Sequence, residues 1–181
     1  MTRNSYPFCW IVSLALLGSA PASAADAAAP AASAASYESG ADVGPLRQLE
    51  QQIRDAAADP GRRAACEDAL LRLLAPEASF EAKRFACMGL SAVGSDAALP
   101  ALAALLKRDE TVGIACLALG GMRSAQAGDL LRGALAEARG TARLQLVSAL
   151  GTRAEGASVE PLARLARDAD AAVACAAVRA L

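Results

Sequence analysis

The feature that most limits what this chain can become is a recurrence. Residues 84–94 read RFACMGLSAVG, residues 113–123 read GIACLALGGMR, and residues 173–181 read VACAAVRAL. Aligning Cys87 with Cys116 brings Leu144 and then Cys175 into the same register, at separations of 29, 28 and 31 residues. Three and six positions further on stand Leu90 and Val93, Leu119 and Met122, Val147 and Leu150, and Val178 and Leu181. Apolar residues three apart define one buried stripe of a helix, and a stripe that returns at a fixed interval predicts stacked repeats.

A second helix precedes each stripe. Its inward residues are Leu70, Leu73 and Leu74, then Leu102, Leu105 and Leu106, then Leu131, Ala134 and Leu135, then Leu162, Leu165 and Ala166. The first copy has a longer loop, around Pro76. Asp59 before Pro60 reads as an N-cap followed by a first-turn proline, and Asp96, Asp109, Ser124, Thr141 and Asp170 fall where helices should start. Gly94 and Gly151 fall where return helices should end. The pattern predicts helices near 43–58, 61–75, 78–93, 96–107, 110–122, 125–138, 141–150, 155–167 and 171–181: an unpaired N-terminal cap over 42–60, then four hairpins over 61–94, 95–123, 124–151 and 152–181.

Composition agrees with an all-α fold. The chain is 55% hydrophobic but only 3% aromatic, and 49 of its 181 residues are alanine. Such a core is built by close approach of helices rather than by bulky side chains. Eighteen basic residues stand against nineteen acidic ones, which gives no field to attract nucleic acid or an anionic membrane. The chain has no histidine, so serine–histidine triads, imidazole acid–base catalysis and most zinc or haem ligation are excluded from it. No catalytic, cofactor or metal residue is expected.

The N-terminus has the order of a secretory signal peptide over residues 1–24. Arg3 precedes an apolar run from Phe8 to Leu17, and GSAPASA then supplies small residues for cleavage after Ala24. The run is too short to span a bilayer, and Cys9 lies inside it rather than at a lipoprotein position. Residues 25–41, rich in Ala, Ser and Pro, are expected to form a flexible leader outside the core, with a transient helix through its alanines as the alternative. The mature chain is therefore expected to be exported, with no stable membrane anchor.

The strings LPALAALLKRDETVGIACLALGG (99–121) and VEPLARLARDADAAVACAAVRAL (159–181) resemble the short HEAT-like repeats, also called phycobilisome-lyase HEAT-like repeats. The resemblance covers about residues 61–181. Arg123 stands where the pattern has glycine, and the copy at 125–138 lacks the proline. It implies a right-handed α-solenoid whose return helices line a concave face that receives a protein or peptide partner, and so an exported scaffold. It also implies an alternative, the N-terminal helical module of a longer secreted enzyme with a hydrolase-like or oxidoreductase domain beyond residue 181. In keeping with that alternative, the chain stops at Leu181, in the position that Gly94 or Gly151 follows elsewhere, and the array is expected to continue. A bilin lyase is a third, remoter reading, disfavoured by export and by the lack of a site.

Free cysteine packs as a small hydrophobe, which accounts for Cys87, Cys116 and Cys175 in one repeat position. Hairpins stack about 8–10 Å apart, beyond the roughly 7 Å between Cα atoms that a disulfide tolerates, so these three are not expected to bridge. Cys66 and Cys87 fall at similar heights of one antiparallel hairpin, and an oxidising compartment would permit a disulfide between them. Arg62, Arg63, Lys83 and Arg84 form a candidate basic patch for an anionic partner, with solvated helix faces as the plainer reading. Glu67 and Asp68 read as surface or first-turn charges, and Asp168 and Asp170 as an acidic cap between hairpin helices.

Overall fold

The structure, a computed structural model, describes residues 24–181. The described residues form ten α-helices and one 3-10 turn, Asp96–Ala98, with no strand among them. The helices are α1 (Ala24–Ala34), α2 (Gly44–Ala58), α3 (Pro60–Arg72), α4 (Phe80–Val93), α5 (Leu99–Leu106), α6 (Val112–Gly121), α7 (Ala125–Glu137), α8 (Gly140–Arg153), α9 (Gly156–Leu165) and α10 (Ala171–Ala180). All nine expected helices are present. Helices α3, α5, α7 and α9 are the first members of the hairpins, and α4, α6, α8 and α10 are the return helices.

The return helices pack in series, α4 on α6, α6 on α8 and α8 on α10, and each also packs on the first helix before it. Small residues make this approach feasible: Ala86, Ala115, Ala118 and Ala149 are buried on them. Between these stand Leu90, Leu119, Val147 and Leu150, all without solvent exposure, each contributing about 1.5–3 kcal/mol from burial. Helix α2 covers α3 and α4 at the start of the array, burying Leu49 and Ala56.

Side-chain capping accounts for the starts of α3, α4, α7 and α10. Asp59 accepts from the Gly61 N–H at 2.8 Å with Pro60 in the first turn of α3. Ser79 and Ser124 accept from Ala82 and Ala127, and Asp170 accepts from Ala172 and Val173. Three starts differ from expectation. Ser95, not Asp96, accepts from the Ala97 N–H at the 3-10 turn, and α5 begins only at Leu99. Helix α6 follows Thr111, whose hydroxyl donates back to the Leu105 carbonyl at 2.7 Å, and α8 follows Arg139. Neither Asp109 nor Thr141 is the cap: α6 and α8 begin without a side-chain cap.

Three expectations are corrected here. Residues 25–34, the first part of the expected flexible leader, fall in α1, which packs on α2 and α3 and buries Ala31 and Ala34. The Ser79 N–H donates to the Ala35 carbonyl and its hydroxyl to the Tyr37 carbonyl, tying the end of this segment to the start of α4. Gly151 does not end α8, which runs on to Arg153 and stops at Ala154 in the left-handed conformation, φ 49°. Instead, a Cβ at Gly151 would stand 2.7 Å from the Ala180 Cβ, so the glycine serves a close helix crossing. Finally, Cys175, Val178 and Leu181 are exposed, although their counterparts Cys87, Leu90 and Val93 are buried. The earlier positions are covered by a following return helix, and α10 has none after it among the described residues.

The signal-peptide reading of residues 1–24 lies outside the described residues, apart from Ala24, where α1 begins. No described helix is long and apolar enough to cross a membrane.

Candidate functional site

Met88 on α4 and Leu117 on α6 are separated by 29 residues, the same step that relates Cys87 to Cys116. The step places both on one face of neighbouring return helices. They are 50% and 52% exposed, and Phe80, two turns before Met88, is also open to solvent. Arg84 lies between Phe80 and Met88: it pairs with Glu81 at 2.8 Å and brings a guanidinium nitrogen to 3.8 Å from the Met88 sulfur. The result is an apolar strip with one cationic group, carried on helices that are rigidly packed beneath.

The cysteines are not part of that strip. Cys66 and Cys87 are free thiols, so the bridge weighed from the sequence is not formed, and Cys116 and Cys175 are free as well. Burial pushes the Cys87 and Cys116 thiols up to about 12. Burial, assisted by the neighbouring Glu67 carboxylate, pushes Cys66 up to about 11. A thiol held so high is protonated at neutral pH and unsuited to nucleophilic or metal-binding work. Among the described residues, no group of three or more Cys, Asp or Glu is placed to hold a metal ion.

The candidate basic patch does not assemble. In an antiparallel hairpin the starts of α3 and α4 are at opposite ends, so Arg62 and Arg63 are separated from Lys83 and Arg84 by most of a helix, on the order of 15 Å. Arg62 lies by Asp55 and Asp59, and Lys83 donates to the carbonyls of Pro76 and Ala78. These cations stabilise helix ends and turns locally.

Two polar clusters were not foreseen. Glu67, expected at the surface, is buried and accepts from both the backbone N–H and the hydroxyl of Ser95, joining the first hairpin to the second. Further along, Arg153 donates to the carbonyls of Leu119, Met122 and Ser124 and pairs with Glu155, which also pairs with Arg132 at 2.7 Å. Burial raises the Glu155 pKa, but the hydrogen bonds and charges of Arg132 and Arg153 outweigh it, and the carboxyl is held below its ordinary value. Each cluster fastens one hairpin to the next. Asp168 and Asp170 act as read: Asp170 caps α10, and Asp168 accepts from the Asp170 N–H and pairs with Arg143 at 2.8 Å.

Compared with protein-family models and with curated proteins, the chain matches none.

Proposed function

We propose that this chain is an exported, non-catalytic scaffold of HEAT-like hairpins, wound as a right-handed α-solenoid, that receives a protein or peptide on the face formed by its return helices. The observation that carries the reading is the half-exposed pair Met88 and Leu117, one repeat apart on packed helices, with Phe80 in line. A contiguous exposed apolar strip marks an interaction surface. Arg84 adds an anchor for a carboxylate or a backbone carbonyl of the partner. Export rests on the order of charge, apolar run and small residues before Ala24.

The test places a photo-activated crosslinker at Leu117 and, as a control, at the exposed Ala136 of α7, and exposes both to extract from the compartment of residence. A partner crosslinked from Leu117, not from Ala136, and lost when Met88→Ser is added, supports the scaffold. Equal capture from both positions, or none, contradicts it. Export is checked by the mature N-terminus, expected at Ala25.

A further inference from the structure

Two of the first helices, α5 and α7, leave space between them. Helix α5 has 8 residues against 13 in α7, and the two touch only lightly. Between them runs a groove of about 1580 Å³. Leu99, Leu106 and Leu130 line it, each only partly buried. Along α7, Asp129, Gly133 and Glu137 follow one another at four-residue steps and so share a stripe facing it. A Cβ built at Gly133, midway along, would meet nothing within 4 Å.

The two ends differ in charge. At one, Asp96 and Asp129 line the groove; Asp96 accepts from the neutral groups of Ser124 and Gln126, and Asp129 shares the Arg132 guanidinium with Glu155. About 12 Å away along α7, Asp109 and Glu137 are balanced by Lys107 and Arg139. The groove thus has an aliphatic floor, one acidic end and one neutral end.

We propose that this groove docks a short amphipathic helix of another protein, aliphatic on its buried face and carrying lysine or arginine at the end that lies over Asp96 and Asp129. A helix suits the space because α5 and α7 run parallel as two supports, and a third rod of about 10 Å diameter nests between them. Its positive N-terminal end adds to the attraction at the acidic end. The site is distinct from the Met88–Leu117 strip and does not depend on it.

The experiment selects helical peptides from an unbiased display library on the purified full chain, with binding of the enriched peptides measured by fluorescence anisotropy. Enriched peptides are expected to pair aliphatic residues at helical spacing with Lys or Arg at one end. Gly133→Met, which fills the groove from an open position, should weaken them at least about tenfold, one decade in Kd. Gly133→Ala should leave most of the binding, and Asp96→Asn should weaken it several-fold at low salt and less at high salt. Thermal melts establish that each variant is folded, and Asp96→Asn carries the test if Gly133→Met is not. No enrichment, enrichment of acidic peptides, or binding indifferent to both Gly133→Met and Asp96→Asn would overturn the proposal. Peptides lost instead with Met88→Ser and Leu117→Ser would overturn it while supporting the return-helix face.

Discussion

On the return helices, α6 comes so near α4 that a Cβ at Gly121 would stand 2.8 Å from the Ser91 Cβ, whereas on the first helices a Cβ at Gly133 would stand in open space. The same residue type serves opposite ends in two layers of one molecule. In the return layer small residues let backbones meet, and the layer becomes the molecule's dense spine. In the first-helix layer the missing side chain leaves a groove.

The largest expected effect probes the spine. Leu119→Ala removes a fully buried side chain of α6 and should cost about 2–5 kcal/mol in urea unfolding. Val178 occupies the corresponding position of α10 but is 61% exposed, so Val178→Ala should stay within about 0.5 kcal/mol. Similar costs for the two would mean that burial does not divide the inner copies from the last one.

Next comes the clasp between hairpins. Arg153→Ala strips three carbonyls and Glu155 of a donor whose side chain is only 5% exposed, and should cost about 3 kcal/mol. A loss below about 1 kcal/mol would show that solvent replaces the guanidinium freely.

A smaller effect is pH-dependent. Because the folded Glu155 pKa lies below the ordinary value of 4.5, its ion pairs stabilise the fold fully above that value and are lost as pH falls below it. Urea midpoints taken from pH 7 down to pH 3 should therefore decline less steeply in Glu155→Gln than in the parent. Parallel curves would remove Glu155 from the account of acid sensitivity.

The spine was legible in the sequence because helix contacts through Ala, Cys and Leu must recur at the repeat interval, and a periodic requirement leaves a periodic trace. Helix α1 left none: a run of alanines has no apolar face to distinguish from its polar one, so its docking on α2 and α3 had no signal. Gly151 was misread because a glycine near a helix end and a glycine at a helix crossing look alike until the neighbour, Ala180, is known. Glu67 and Arg153 were hidden for a similar reason. Their partners lie 28 to 34 residues away, and a charged residue on a helix reads as solvated unless those partners are visible. The groove depends on the shortness of α5 and on what is missing at Gly133, and a missing side chain has no periodicity.

The most direct test of the two-layer account is the pair of melting temperatures of Gly121→Ala and Gly133→Ala. Gly121→Ala must push α6 from α4 and should destabilise by about 1–3 kcal/mol, whereas Gly133→Ala adds helix propensity in open space and should stabilise by about 0.5–1 kcal/mol. Opposite shifts are the predicted result; shifts of the same sign would contradict a dense return layer beside an open first-helix layer.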